Sequence, residues 1–563
     1  MASALRRRVR ADAGKEGLFL AGRNLTWWGA GLSIVATVFA ADTPFWVVAV
    51  TYREGLGGHW FWWALAFGKL GAAFIFTPLW RRSRVTTDLE LISVRYGRRR
   101  DGDALRAVRA AGELLQRAVG IGVNLIVAGE LLAAMFDDGS GGATARFVAQ
   151  GVVVVVALLV LSYTGASGLS GAVRSDPLQL AIAFGGSCAV ALLAWRAVGW
   201  DLASVSLPPH HLDLWPSSGS TLTPERFALL LTIGWWSTLP DSGFSVQRTL
   251  ATRNERDAVR AKLLSVVVLY VVRPLPWYLI GLISFGLFPD LDNADATFGV
   301  AMNALAGPGL RGLLIAGILA ALMSTLDTYV NLGASYAVND LWPMLRRKSL
   351  TKAQEVWLGR VTGWFLGLFG LFIATQAQSI DGTLKYLWSM YSGVALLWIL
   401  RWCWWRISAR CEWVALAASL ITANLATMLL PESADRYAYV LAITFLVTTA
   451  AWLPMALLRA APSEADIDFA QRMRLGGPGW RRVWRDQSAR PEAFGLGTRL
   501  VAWLVSAVAV YSAMFVGLSL FSASYGRALA LIAMTAVATW LLRTLLKRFL
   551  SAQADASMPT ERS

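Results

Sequence analysis

The stretch Leu310–Val338, LRGLLIAGILAALMSTLDTYVNLGASYAV, decides how this chain folds. It is long and apolar enough to cross a bilayer once as a helix. Its middle nonetheless carries a group of polar residues, namely Ser324, Thr325, Asp327, Thr328 and Asn331. Because a carboxylate at bilayer depth is costly, it marks an ion or solute pathway by default.

Four residues of this stretch follow the spacing of a single helix face: Ala321, Ser324, Thr325 and Thr328. The small alanine lets a neighbouring backbone approach, and the hydroxyls offer the oxygen ligands that a hard cation such as sodium prefers. An alternative stays open at this point. The hydroxyls could bond back to their own helix while Asp327 pairs with a buried arginine.

The composition indicates a polytopic membrane protein, since 56% of the residues are hydrophobic and 16% are charged. The net charge of +16 lies in loops between apolar runs, which favours membrane topology over nucleic-acid binding. The cysteines and histidines form no metal-binding or catalytic pattern, and no nucleotide motif is evident. We therefore expect neither an enzyme nor an obligate protein partner.

Apolar runs of spanning length occur about fourteen times, which predicts an all-α protein with about 14 transmembrane helices. The loops alternate between basic and acidic or neutral, so we place both termini in the cytoplasm and the chain in the cell (inner) membrane. Two of the predicted inner loops are residues 80–106 and 247–262. The predicted parts are a basic N-terminal tail (1–25), a ten-helix core (26–405), four peripheral spans (406–547) with a basic amphipathic inner segment (461–490), and a C-terminal tail (548–563).

Two spans look broken. Polar residues and Pro44 interrupt the first span near Asp42 and Thr43, and the sixth span, RFALLLTIGWWSTLPDSGF (226–244), runs into Pro240 and Asp241. A proline kink repaired by neighbouring helices would explain either break alone. Since the breaks lie five spans apart, they favour an inverted-repeat transporter whose unwound helices expose carbonyl groups to solute and ions.

The chain resembles the sodium:solute symporter family in four stretches that sample the core from its first span to its last. They are FLAGRNLTWWGAGLSIVATVFAADTP (19–44), GLSGAVRSDPLQ (168–179), ILAALMSTLDTYVNLGASYAVNDLW (318–342) and LRWCWWRISARCE (400–412). The resemblance implies a five-plus-five inverted-repeat core of the LeuT type. It also implies sodium as the coupling ion for symport of a small organic solute.

The resemblance implies a sodium site made of the carbonyl groups of Ala36, Phe39 and Ala321 and the hydroxyls of Ser324 and Thr325. It further implies that Asp176 is an acid on the sodium release path. Asp176 precedes Pro177, so a helix N-cap is an alternative role for this residue.

The chain departs from some relatives, which carry an acid where this chain has Val38. Asp42 and Asp327 stand elsewhere, and either could bind a second cation or a proton or contact a cationic group of the solute. For Arg273, in the seventh span, we expect an ion pair with Asp42, Asp241 or Asp327, or a role in holding a solute carboxylate.

Asp327 is also assigned to the ion pathway. The remaining candidates for solute binding are Asp42, Thr43, Asn124, Trp235, Trp236 and Tyr391. The expected function is sodium-coupled symport by alternating access. A solute sensor without transport and a proton-coupled symporter remain alternatives, and the sequence does not identify the solute.

Overall fold

The computed structural model describes residues 14–40, 42–136, 143–216, 222–291, 293–346, 350–376, 393–431, 436–485 and 495–557. Their regular structure is helical, apart from one isolated bridge between Leu25 and Thr252. The α-helices, numbered in chain order, are α1 (Gly14–Leu20), α2 (Trp27–Val38), α3 (Asp42–Glu54), α4 (Trp60–Ser83), α5 (Glu90–Tyr96), α6 (Arg100–Phe136), α7 (Ala143–Ala197), α8 (Pro224–Leu229), α9 (Gly243–Ala251), α10 (Glu255–Val267), α11 (Leu275–Leu287), α12 (Thr297–Leu305), α13 (Pro308–Tyr336), α14 (Trp342–Arg346), α15 (Lys352–Gln376), α16 (Ala395–Cys403), α17 (Ala409–Leu429), α18 (Arg436–Leu457), α19 (Glu464–Met473), α20 (Leu496–Phe521) and α21 (Tyr525–Ser557).

Eleven helices of the described part are long and apolar enough to cross a membrane, and the bent pair α2 and α3 adds a twelfth span. The expected count of fourteen is therefore not confirmed. The sixth expected span is a series of short helical pieces. The tenth lies partly in residues 377–392, outside the described residues.

The first span is broken as predicted. Helix α2 begins after Thr26, whose side chain accepts a hydrogen bond from the Gly29 amide, and it ends at Val38. Helix α3 begins at Asp42 and runs at 62° to α2. Because the ladder of backbone hydrogen bonds stops here, carbonyl groups near the end of α2 are left for other partners.

The second break separates α8 from α9. A π-helical turn (Leu230–Gly234) and a 3₁₀ turn (Trp236–Thr238) follow α8. Asp241 and Gly243 then adopt left-handed backbone angles, with φ of 57° and 58°. This geometry interrupts the span as predicted.

Helix α9 corrects the predicted inner loop 247–262. Gln247 and Arg248 lie within α9, where Gln247 is 3% and Arg248 0% exposed. Lys262 lies on α10 and is also buried. The predicted loop was too long, because it was identified by its number of basic residues, and that number does not distinguish buried side chains from solvated ones.

The fourth and fifth spans form the single helix α7, which is kinked at Gly168 with φ of 55°. A Cβ atom at this position would lie 2.5 Å from the Leu18 carbonyl oxygen, so the kink requires glycine. Since the fifth span begins at this kink, Asp176 and Pro177 lie inside the helix. The N-cap role considered for Asp176 is therefore wrong.

The predicted surface segment 461–490 contains α19, which packs against α5. Arg95 and Asp466 form a buried ion pair of 2.6 Å between these two helices. The Arg95 guanidinium also lies over the rings of Phe469 and Trp480. The segment is thus docked on the helical core. Its position along the inner membrane surface stays a prediction.

Helices α7 and α13 pack against each other and against α2. These contacts bring together the fifth span, the first span and the stretch Leu310–Val338, which is the eighth span. At the periphery, α20 pairs with α21 and α17 pairs with α18.

Candidate ion and solute site

Asp176 connects three spans. Its Oδ1 accepts a hydrogen bond of 2.8 Å from the Ser324 hydroxyl of α13, and its Oδ2 accepts one of 2.5 Å from the Ser33 hydroxyl of α2. All three side chains are at least 98% buried. The carboxylate therefore orients two hydroxyl groups so that their lone pairs remain for other partners.

Thr325 brings the hydroxyl face of α13 to the break in the first span. Its hydroxyl lies 3.1 Å from the carbonyl oxygen of Ala321 and 3.4 Å from that of Thr37. Next to Thr37, the Ala36 carbonyl accepts a hydrogen bond of 3.2 Å from the Phe39 amide. The two segments that carry the five expected sodium ligands therefore meet at Thr37 and Thr325. Their assignment as ligands stays a prediction.

The hydroxyl face of α13 makes hydrogen bonds within its own helix as well as contacts with other helices. Thr325 does bond back to its own helix, at Ala321, as the alternative expected. Ser324 instead reaches across to Asp176, and Thr328 lies 3.1 Å from the Thr37 hydroxyl of α2. The face is therefore an interhelical contact built from oxygen atoms.

Arg248 supplies a positive charge beside this junction. The fully buried guanidinium donates to the Thr328 hydroxyl at 2.8 Å and to the Ser33 hydroxyl at 3.2 Å. It also donates to Gln247, which in turn donates to Asn331 of α13. Arg248 therefore ties the second break to the first and eighth spans.

Asp327 lies on the same helix as this hydroxyl face and is 1% exposed. The Thr164 side chain contacts its carboxylate, while the buried Oδ1 has no hydrogen-bond partner in the described part of the chain. Asp176 and Arg248 are both within electrostatic range. Among the described residues, Asp327 does not form the ion pair with a buried arginine that the alternative required.

Arg273 also differs from the expectation, because none of the three proposed carboxylates forms an ion pair with it. Asp241 instead pairs with Lys262 at 2.8 Å. The fully buried Arg273 donates one hydrogen bond of 2.8 Å to the Val38 carbonyl. Its guanidinium lies 5.1 to 5.7 Å from the ring centroids of Trp277, Trp62 and Phe39.

Asp42 and Thr43 begin α3 directly after the first break. The Thr43 hydroxyl donates to the Val38 carbonyl at 3.0 Å and approaches Asp42 Oδ1 at 3.3 Å. Asp42 lies within electrostatic range of Arg273. These two candidates therefore lie at the end of α2 that Arg273 also contacts.

The other solute candidates do not join this group. Asn124 is buried and donates to the Gly120 carbonyl of its own helix. Trp235 packs against Phe67 of α4 and Trp503 of α20, and Trp236 packs against Phe445 of α18. Their role toward a solute stays a prediction. Tyr391 lies outside the described residues.

Three residues of the junction were not predicted from the sequence, namely Ser33, Gln247 and Arg248, and Thr37 was predicted only as one of the polar residues at the first break. Ser33 and Thr37 are four residues apart on α2, so their spacing on one helix face could have indicated a polar partner. Arg248 follows the second break within a few residues, so it could belong to the same membrane span. This proximity was the signal in the sequence that Arg248 lies on a buried helix.

A model of the Sodium:solute symporter family matches residues 18–421. The chain belongs to this family. The matched region includes both breaks, Asp176 and the hydroxyl face of α13. This match, together with the solved structure described below, confirms the five-plus-five fold that was expected from the resemblance.

Known proteins of this kind are similar to the chain. It is 27% identical to the sodium/glucose cotransporter 4 of Homo sapiens over 412 residues, which are 66% of this chain and 58% of that protein. It is 22% identical to an uncharacterised symporter of Escherichia coli strain K12, covering 84% of both. The chain spans 57% to 60% of the length of the first three curated relatives.

A solved structure shares the fold. The substrate-bound outward-open state of a Na⁺-coupled sialic acid symporter superimposes with a TM-score of 0.66 and 19% identity, covering 82% of this chain and 96% of that one. The family and the apolar helices together make this chain an integral multi-pass membrane protein.

Proposed function

We propose that this protein is a sodium-coupled symporter that carries a small organic solute across the membrane by alternating access. The observation that carries the proposal is the junction of two broken spans with the hydroxyl face of α13. Relatives described as sodium/glucose cotransporters support sodium as the coupling ion.

The oxygen atoms of the junction fit sodium. Ala36, Phe39 and Ala321 offer carbonyl groups, and Ser324 and Thr325 offer hydroxyls, so the donor set consists of hard ligands. Asp176 adds a negative charge in contact with Ser324. Sodium entering from outside would stabilise one arrangement of α2 against α13, and its departure past Asp176 would release it.

The free energy available from one sodium ion supports accumulation of solute. A membrane potential of about 100 mV contributes about 2.3 kcal/mol per charge. A tenfold sodium gradient adds about 1.4 kcal/mol. Together they allow a solute gradient of several hundredfold.

Both termini are proposed to be cytoplasmic and the protein to reside in the cell membrane, because the basic predicted loops lie on one side.

The alternative function is proton-coupled symport, in which Asp42 or Asp327 would bind the proton. Uptake into proteoliposomes tests the proposal: an imposed sodium gradient is expected to drive solute uptake, and a proton gradient at equal sodium is not. Uptake that follows the proton gradient alone would contradict sodium coupling.

A further inference from the structure

Three neighbouring residues at the seventh span hold hydrogen-bond donors that have no acceptor among the described residues. The buried atoms are Arg273 Nε and Nη2, Tyr270 Oη and Trp277 Nε1. Arg273 and Tyr270 are both at least 99% buried. Since a guanidinium and an indole can only donate, this set of donors suits an acceptor that takes several hydrogen bonds.

These donors lie close together. The Arg273 guanidinium is 5.1 Å from the Trp277 ring, and the same guanidinium is 5.5 Å from the ring of Trp62. Trp62 also packs on Tyr270, with ring centroids 4.9 Å apart. A π-helical turn (Val268–Val272) directly precedes Arg273, and such turns are frequent at functional sites.

The acids around Arg273 are bound elsewhere. Asp241 accepts hydrogen bonds from Lys262 and Ser245. Asp42 contacts Thr43 and does not bond the Arg273 donors. Lys69 lies within electrostatic range of Lys262, Asp241 and Arg273, and Asp42 lies within range of Arg273. Among the described groups, Arg273 therefore has a carboxylate nearby but no direct ion pair.

Arg273 is fixed at the end of α2, next to Asp42 and Thr43, which are two of the candidates for solute binding. One of its nitrogens, Nη1, donates to the carbonyl of Val38, the last residue of α2. This contact holds the guanidinium at the first break and leaves Nε and Nη2 for a ligand. A carboxylate suits two guanidinium donors because its two oxygens match their geometry.

We propose that the transported solute is a small organic anion whose carboxylate binds Arg273, with Tyr270 and Trp277 as further donors. The inference rests on the proposed symport and adds the class of solute. It explains why the buried Arg273 forms no ion pair among the described residues and keeps two of its nitrogens without an acceptor there. The charged head of the solute would then lie at the break, against the rings of Trp62 and Phe39.

Thermal unfolding of the purified full-length protein in sodium chloride tests this inference. The probes are acetate, propionate, lactate and nicotinate, each paired with its primary amide, together with glucose, galactose and iodide. At least one acid is expected to raise the melting temperature while its amide does not. Stabilisation by a sugar, by iodide alone, by an amide as strongly as its acid, or by no acid would overturn the inference.

Variants make the test specific. Arg273→Gln is expected to abolish the shift given by the acid, and Arg273→Lys to retain part of it. Arg527→Gln, in the peripheral helix α21, is the matched control and keeps the full shift. Should Arg273→Gln fail to fold, Trp277→Phe and Tyr270→Phe preserve the rings, and each is expected to weaken acid binding about tenfold. Unchanged binding in both would contradict the inference.

Failure of this inference differs from failure of the symport itself. Sodium-driven uptake restricted to neutral or cationic solutes would overturn the anionic class and leave the symport standing. Binding of the acid without any sodium dependence, and with no sodium-driven uptake, would support the anion site while removing the symport proposal.

Discussion

Ser324 donates a hydrogen bond of 2.8 Å to Asp176, and this contact links the eighth span to the fifth. The hydroxyl proton points to the carboxylate, so the oxygen lone pairs remain for a cation. Ser33 makes the equivalent contact from the first span at 2.5 Å. Asp176 thereby sets the orientation of hydroxyls on both helices that the sodium site is proposed to join.

Asp176→Asn is expected to lower the apparent sodium affinity about tenfold, equivalent to about 1.4 kcal/mol. The amide removes the negative charge and replaces one acceptor by a donor, so one of the two serine hydroxyls must rotate. Sodium titration of the melting temperature measures the effect. Asp201→Asn, on an exposed loop, serves as the control, and equal affinities in the two variants would contradict the role of Asp176.

Arg248→Gln is expected to destabilise the sodium-free protein by about 3 kcal/mol, because Asp176 and Asp327 then lose the cation that faces them. Sodium should stabilise this variant more than it stabilises the wild type, since the ion supplies the missing charge. Melting temperatures in potassium and in sodium report both effects. A variant with wild-type stability in potassium would show that the guanidinium is not the counter-charge.

Gly68 allows α4 to approach the second break. A Cβ atom there would lie 2.2 Å from the Thr238 hydroxyl and 2.3 Å from the Trp235 carbonyl oxygen. Gly68→Ala is therefore expected to cost about 1–3 kcal/mol through overpacking. Gly129→Ala is the matched control, since no described atom beyond the adjoining part of its own helix lies within 4 Å of its added Cβ. Denaturation measures the stability of both variants. If Gly68→Ala were as stable as Gly129→Ala, the close packing at Gly68 would be contradicted.

The buried pair of Arg95 and Asp466 fixes α19 on α5. Burial raises the pKa of Asp466, but the Arg95 guanidinium, the Ser463 amide and Arg459 lower it more, so the pKa lies below the ordinary value. The carboxylate thus adds stability above the unfolded-state pKa of about 3.9, and this stability is lost as the pH falls through the lower folded-state value.

Asp466→Asn is accordingly expected to destabilise the protein by about 3–5 kcal/mol at neutral pH. The difference in the free energy of unfolding between this variant and the wild type should become smaller only below about pH 4. Asp468→Asn on the same helix is the control. A difference that is the same at all pH values would show that the charge of Asp466 is not what stabilises the contact.

Local patterns predicted the parts of the site that lie on single helices. The spacing of Ser324 and Thr325 placed them on one face, and Pro44 with its polar neighbours indicated the first break. These features depend on helix periodicity and on backbone chemistry, which a sequence displays directly.

Contacts between distant segments were not predictable in this way. Asp176 before Pro177 has the pattern of a helix start, but the kink at Gly168 begins the helix earlier because the Leu18 backbone approaches there. Arg248 was counted with the loop charges although tertiary packing buries it. Arg273 was predicted to pair with an acid, but in the structure it contacts aromatic rings and a backbone carbonyl.

Direct binding of radioactive sodium to the purified protein tests the central claim, because it requires no knowledge of the solute. The wild type is expected to bind sodium saturably, and the Ser324→Ala/Thr325→Ala variant to lose this binding while its melting temperature in potassium stays close to that of the wild type. Saturable sodium binding of undiminished affinity in the double variant would contradict the proposed site.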